Sequence, residues 1–405
     1  MHRPFSRHTH PSRRSRPWTT TRTVALVAFF AQLYFYIPAL TPYLQARGLS
    51  LAQINLLQAL LIGTGLLLDV PTGVLADRIG RRWSYSAALA CQVLGEGTFL
   101  LARDYGVFLL AQVVAGAGYA LASGSVDALV YESLPAEDRS AAMQRAKGTV
   151  GAAVQFASVI AYLAGGVLIA DLKLAHIVFA IQLTVLSMIV AFGGSFFIRE
   201  PYRAADAAVD ADTRRPDAWL LLREGLSLLR RNRSLQRVVL VYLLTSAFPA
   251  YLLVLYQPYL LRSGVSGSWL GVSLGLGSAL ALIGQRYAYA LEAAVGTRRA
   301  VLAVTAAPGV LYLLMAAVGQ PVLAIGLFCA QWGVIPVKEP LFSAYLNRHI
   351  PDAQRATVLS LVNTLLSVYV ALMGPVIGIV ADAALPTAFS LLGVVVLGGA
   401  LALRI

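Results

Sequence analysis

Apolar residues along this chain fall in long, nearly unbroken runs, and polar residues gather in short clusters between them. A run of about 20 apolar residues crosses ~30 Å of hydrocarbon as a helix. Such runs recur twelve times, at 23–45, 52–76, 84–103, 107–131, 148–170, 174–198, 236–261, 268–291, 300–318, 321–346, 356–381 and 385–403. One longer polar stretch divides them six and six. The pattern predicts an all-α polytopic membrane protein with a basic N-terminal tail (1–22), a six-helix half (23–198), a linker (199–235) and a second six-helix half (236–405). Within the linker, Trp219, Leu222, Leu226 and Leu229 recur at helical spacing while Arg223, Arg230 and Arg231 fall elsewhere, as in a helix lying on the membrane surface. The alternative is a short solubilising connector.

Composition agrees: 58% of residues are hydrophobic, 13% are charged, and mean hydropathy is +0.71, beyond the range of a soluble domain. Pro38, Pro42, Pro71, Pro258, Pro336, Pro340 and Pro375 lie inside runs and predict kinks in helices 1, 2, 7, 10 and 11. With a cytoplasmic N-terminus the outer loops hold only Arg47, Arg103, Lys173 and Arg262, Arg286 and Lys338 lie within spans, and the rest of the 32 basic residues face inward. That bias sets the orientation, with both termini cytoplasmic and the protein in the inner cell membrane. The net charge of +13 is then an anchor against an anionic inner leaflet rather than a nucleic-acid surface. The tail is basic like the start of a signal peptide, but the run after it is about 23 residues long without a small-residue cleavage pattern, so it is read as the first helix. Cys91 and Cys329 fall inside spans and indicate core packing, with no disulfide framework, metal site or cofactor.

Short echoes point to internal repeats. "GVLAD" ends the second run, "GVLIAD" the fifth and "GIVAD" the eleventh, and helices 2 and 5 run in opposite directions, as in an inverted repeat. A second echo, "SVDALVYESLPAEDR" against "PVKEPLFSAYLNRHIPDAQR", sets Asp127 of the first half beside Lys338 of the second.

The densest charge lies in "GVLADRIGRR", residues 73–82, between two apolar runs. Gly73 sits one turn before Asp77, so a neighbouring helix can approach where the carboxylate emerges, and the carboxylate can face that helix's positive end. Gly73, Asp77, Arg78, Gly80, Arg81 and Arg82 fill every position of Gly-x-x-x-Asp-Arg-x-Gly-Arg-Arg/Lys, the signature loop of the major facilitator superfamily of secondary transporters. The chain resembles that family over essentially its whole length. The resemblance implies two pseudo-symmetric six-helix halves that work as a monomer, and a latch from Asp77 to the start of helix 11, near Arg355 to Leu359, that closes the cytoplasmic side. Gly80 then allows the tight turn, with Arg78, Arg81 and Arg82 at headgroup level as gating residues or plain anchors. "LDVPTGVLADRIGRRWS", with Asp69 before Pro-Thr-Gly, also resembles a bacterial, exporter-like branch. Two other family motifs are degraded: Gln112 stands where an arginine is common, and "AYLAGG" lacks the proline of drug–proton antiporters.

A charge at membrane depth costs at least ~2.5–3.5 kcal/mol, so each needs a partner, water or a task. The resemblance implies that helices 1, 4, 7 and 10 line a central cavity, so Asp127 and Lys338 can face one another across it as a gate or coupling site that attracts when the cavity is closed inside and separates when it opens, the alternative being a static pair with helix neighbours. Glu132 and Glu339 lie nearer the inner surface. Glu96, between Gly95 and Gly97 on helix 3, is deep enough to carry a proton, on a helix that the resemblance makes peripheral. Asp69 can extend the Asp77 latch, and Arg286 and Glu292 read as a structural ion pair in the second half. Gln32, Tyr34, Tyr36, Tyr131, Tyr256, Gln257, Gln331 and Trp332 on presumed cavity helices suit an amphipathic organic solute, although tyrosine and tryptophan also serve as packing and belt residues.

No His pair, Cys/His set or phosphate-binding glycine loop is present, which excludes the usual enzymatic constellations. The expectation is a transporter that moves a small organic molecule by alternating access, in the direction of proton-coupled efflux. Uptake of an anion or nutrient is the runner-up, and a non-transporting receptor comes third.

Overall fold

The computed structural model describes residues 17–134, 139–199, 227, 229, 232–246, 248–347, 350 and 355–402. The tail before residue 17 and nearly all of the linker, with its expected surface helix, lie outside these described residues. Every regular element among them is helical. The first half comprises α1 (Pro17–Ala31), a 3-10 turn (Ile37–Ala39), α2 (Leu40–Ala46), α3 (Leu51–Ile79), α4 (Arg81–Leu101), α5 (Tyr105–Ser123), α6 (Ser125–Ser133), α7 (Arg139–Leu168) and α8 (Leu174–Ser195). The second comprises α9 (Arg233–Ser246), α10 (Phe248–Arg262), α11 (Gly267–Arg286), α12 (Ala288–Val295), α13 (Thr297–Ala317), α14 (Pro321–Asn347), α15 (Arg355–Ala383) and α16 (Leu385–Ala402).

Nine helical stretches among the described residues are long and apolar enough to cross a membrane, with α5–α6 and α9–α10 each counting as one. Thr19–Ala31 and Leu385–Leu401 are apolar but shorter. The expected third span, α4, is helical along its whole length but carries Arg81, Arg82, Gln92 and Glu96, which lower its hydropathy. Helices α3, α14 and α15 run on through Pro71, Pro336, Pro340 and Pro375. The first span breaks earlier than its prolines suggest, across Gln32–Tyr36.

Within the first half α4 packs on α5 and α8, α3 on α5, and α1 on α7 and α8; within the second, α11 packs on α14, and α13 on α14 and α16. Side chains such as Leu101, Val167, Phe197, Val322 and Leu401 point outward, an arrangement stable only against acyl chains. The halves meet most closely where α3 packs on α15, α7 on α11, and α2 on α10, with smaller contacts of the 3-10 turn on α11 and of α3 on α10.

These seams lie toward one end of the molecule, opposite the charged loop at 73–82; we call the two the far end and the motif end. At the α7–α11 seam an added Cβ on Gly271 would lie 2.2 Å from the Tyr162 carbonyl oxygen and 2.6 Å from the Gly166 Cα, so the backbones touch. Glycine permits this approach; no other residue does. At the third seam the Gln257 side chain accepts the Thr41 amide at 2.6 Å and donates to the Ile37 carbonyl at 2.8 Å, while the Thr41 hydroxyl donates to the Val254 carbonyl at 2.9 Å. Toward the motif end the same helix pairs part, leaving openings of about 390 Å³ between α3 and α15 and between α7 and α11.

Candidate functional site

The broken first helix creates the candidate site. From Gln32 to Tyr36 the chain leaves helical geometry, and its freed backbone groups find partners on α8: the Phe35 amide donates to Thr184 Oγ1 at 3.0 Å and Ser187 Oγ donates to the Leu33 carbonyl at 3.4 Å. Irregular backbone at membrane depth is tolerated only where protein or a cavity supplies such partners. Beside the break lies a cavity of about 210 Å³ lined by Gln32, Tyr34, Tyr36, Gln58, Gln92, Glu96, Gln112, Tyr119 and Tyr162 with apolar neighbours. It shares Leu61 and Tyr119 with the α3–α15 opening and Gln32 and Tyr162 with the α7–α11 opening, so each opening adjoins it across shared side chains. Together they suit a small organic molecule.

Glu96 is the one charged side chain among the described residues lining the central cavity. It is 9% exposed and accepts the Tyr36 hydroxyl at 2.9 Å on one oxygen and 3.2 Å on the other. Tyr36 is fixed in turn by stacking on Phe99 at 5.4 Å between centroids. An acid held by a phenol and ringed by amides can carry a proton or, when ionised, accept from a donor-bearing solute. Sequence reading placed Glu96 on a peripheral helix, yet its carboxylate faces the cavity. It overlooked Gln58 and Gln92, whose signal was available: amides deep in apolar runs on neighbouring helices.

In this structure, parted at the motif end, Asp127 and Lys338 each find partners within their own half. Asp127 pairs with Lys147 of α7 at 2.6 Å in an exposed setting. Lys338 is buried, donates to the hydroxyls of Thr245 and, at 2.7 Å, Ser246, and lies 5.4 and 5.2 Å from the ring centroids of Tyr242 and Phe342. Each charge is settled within its own half because hydroxyls and a lysine on adjacent helices are nearer than the opposite half. Gln257 is likewise spent on the far-end seam. Gln331 is fully buried off the cavity wall, and its amide oxygen and nitrogen have no hydrogen-bond partner among the described residues. The Glu339 side chain lies outside the described residues.

At the motif end Gly80 adopts a φ of +97°, ending α3 and starting α4 in one residue. Asp77 pairs with Arg81 at 2.6 Å, and Arg81 Nε lies 3.7 Å from Glu132, tying the loop to α6. Arg82 donates to the Phe196 carbonyl at 2.7 Å, its guanidinium lying over Trp83, while Arg78 is exposed. Gly73 has no atom within 4 Å of an added Cβ. Of the expected partner of Asp77, Arg355 to Leu359 at the start of helix 11, the side chains at 355–357 lie outside the described residues. Asp69 accepts the Ser123 hydroxyl of α5 at the rim of the α3–α15 opening. Glu292 accepts the Thr297 hydroxyl at 2.7 Å.

Residues 23–375 match the sequence model of the Major Facilitator Superfamily. The chain belongs to that superfamily. As a member of it, this is a multi-pass membrane transport protein of a small-molecule substrate, not an enzyme. An uncharacterized superfamily-type transporter, YxaM of Bacillus subtilis (strain 168), is 23% identical over 344 residues, 84% of each chain. Superfamily-like solved structures give the same architecture. A mutant of the nucleoside transporter NupG superposes with a TM-score of 0.77 at 12% identity, covering 95% of this chain and 98% of that one. An inward-facing, unoccupied bacterial homolog of the human lysosomal transporter Spinster gives 0.72 at 16% identity over 97% and 95%. A POT family transporter in complex with 5-aminolevulinic acid gives 0.71 at 12% identity over 94% of each. At these identities the superfamily fold is what is shared.

Proposed function

We propose that this superfamily member is a proton-coupled exporter of a small amphipathic organic solute, working by alternating access as a monomer in the inner cell membrane. In this reading it has twelve spans, cytoplasmic termini, and its motif end in the cytoplasm against an anionic leaflet. The supporting observation is Glu96: a single acid, buried, held by Tyr36 and facing a cavity of glutamines and tyrosines. A donor-bearing solute and a proton would compete for that carboxylate, and competition for one site is the simplest coupling of two opposed fluxes. The two halves rock about the central cavity, sealed at the far end in one state and at the motif end in the other. Asp77, Arg81 and Glu132 belong to the motif-end gate.

Proteoliposomes with an internal pH dye test this against a panel of lipophilic cations, anions and zwitterions. Substrate-linked proton movement in the parent and its loss in Glu96→Gln, with uncoupled solute exchange retained, is expected. Equal proton coupling in both would overturn the assignment. Counterflow in oriented vesicles settles the runner-up, anion uptake, for which the buried Lys338 speaks.

A further inference from the structure

The pentapeptide that opens the motif loop, Gly73 to Asp77, has a counterpart at the opposite end of the opposite half: Gly378, Ile379, Val380, Ala381, Asp382, closing α15. Helices α3 and α15 are antiparallel neighbours, and at the far end, where they meet, the C-terminus of α15 lies beside the N-terminus of α3. The second copy makes a contact that nothing in its own half requires. Asp382 stands one residue before the end of α15, where the helix's own dipole disfavours a carboxylate. Its oxygens instead accept the Leu51 amide at 2.7 Å and the Ala52 amide at 2.9 Å, across 331 and 330 residues of chain.

These two amides are those that α3 cannot satisfy for itself. The first turn of a helix has four free N–H groups. Ser50 caps α3 with a reciprocal box, its hydroxyl accepting the Gln53 amide at 3.2 Å and the Gln53 side chain accepting the Ser50 amide at 3.0 Å. The Ile54 amide bonds the Ser50 carbonyl. Leu51 and Ala52 are left, and Asp382 takes both. Gly378, one turn earlier, makes room: an added Cβ would lie 2.5 Å from the Ala52 Cα and 2.7 Å from the Leu51 carbonyl oxygen.

We propose that Asp382 and Gly378 form the far-end latch of the transport cycle, a carboxylate from one half capping a helix of the other, which must break each time the far end opens. Asp382 is a positioning residue: it sets the balance between the two access states and does not touch the solute. The cycle then exchanges two copies of one device, Asp382 on α3 in the state seen here and Asp77 on α15 in the other. That exchange rests on the alternating-access reading above; the far-end latch itself does not.

The test measures distance between nitroxide labels on Arg103→Cys and Gln320→Cys, outer-loop positions in the two halves, with Cys91→Ala and Cys329→Ala, by double electron–electron resonance in nanodiscs without substrate. In Asp382→Asn the ratio of open to closed far-end populations should rise at least about tenfold, equivalent to ~1.4 kcal/mol. Leu51→Pro removes one donor of the latch while keeping α3, because proline is favoured at the first helical position and Ser50 is already extended, with φ −76° and ψ 164°. It should open the far end similarly, whereas Leu51→Ala, which keeps the amide, should stay closed. The double variant Asp382→Asn with Leu51→Pro should fall well short of the product of the single effects, since both remove the same bond. Gly378→Leu, which wedges the backbones apart with the carboxylate intact, guards against a substitution at Asp382 that fails to fold. An unchanged distribution in Asp382→Asn and Gly378→Leu, or strictly multiplicative effects in the double variant, would overturn the latch. Loss of proton coupling in Glu96→Gln is a separate readout, so either proposal can fail alone.

Discussion

Replacing Gly271 by alanine puts a methyl group where the Tyr162 carbonyl oxygen lies 2.2 Å away and the Gly166 Cα 2.6 Å away. Non-bonded carbon contacts settle near ~3.5–4.0 Å, so α7 and α11 must separate by more than about 1 Å. Both obstacles are backbone, and no change of rotamer relieves them. Overpacking of this kind costs ~1–3 kcal/mol where side chains can yield, and the rigid obstacles here place Gly271→Ala at the upper end. Alanine gains ~1 kcal/mol over glycine inside a helix, leaving a net loss of ~2 kcal/mol. Gly73→Ala is the matched control, because its methyl enters open space and only the helix gain remains. The assay is thermal unfolding of the purified protein in one detergent, followed by far-end distance measurement. Gly271→Ala should melt about 2–3 °C below parent, as ~2 kcal/mol does in a chain of this length, and widen the far-end distribution, with Gly73→Ala at or above parent. A Gly271→Ala protein that melts with the parent would refute the claim that bare backbone contact holds this seam.

Asp127→Asn should leave melting temperature and transport within error, since its Lys147 pair is exposed and such pairs are worth ~0.2–1 kcal/mol; a tenfold loss of transport would restore a role for Asp127 in gating. Lys338→Met should fold with an unchanged or raised melting temperature, because apolar replacement of a buried ammonium is commonly neutral or stabilising; a fall of 5 °C or so would show that its hydroxyl contacts hold α14 to α9. In the far-end loop, hydrogen bonds from Lys173 and then His176 hold the Asp171 carboxyl well below the usual carboxylate range, and Asp171 raises the Lys173 ammonium in return. A depressed acid stabilises above its unfolded value and ceases to as pH falls through its folded one. Amide protection factors for residues 169–176 should therefore hold from pH 7 to about 4 and decline only below it; uniform protection down to pH 2 would contradict this.

The sequence told the fold because each span needs only a run of apolar residues, and that requirement is local. The site was harder. Asp127 and Lys338 match as letters in two similar stretches, but a repeat fixes the fold position of a residue and not the neighbours that reach it in the state seen here. Lys147 and Thr245 lie 20 and 93 residues from the charges they satisfy, and no pattern announces them. Glu96 was visible as a deep acid; that it faces inward depends on a break in another helix, upstream of the prolines thought to mark it. Asp382 was seen only as the end of an echo. The informative sign was its position, a carboxylate against its own helix dipole, which calls for a positive helix end from elsewhere.

The ten residues from Gln32 to Thr41 belong to two machines. Their first half supplies the cavity wall through Gln32, Tyr34 and Tyr36, and their second half is what Gln257 grips through Ile37 and Thr41. Only four residues lie between Tyr36, whose phenol holds Glu96, and Thr41, whose amide the other half clamps, and no continuous helix divides them. A cargo or proton that shifts Tyr36 is thus felt at the seam without travelling through the bundle. In the proposed proton-coupled cycle, the number of protons that slip through for each molecule carried would be set in this short segment, and leaky variants should cluster here more than at either gate.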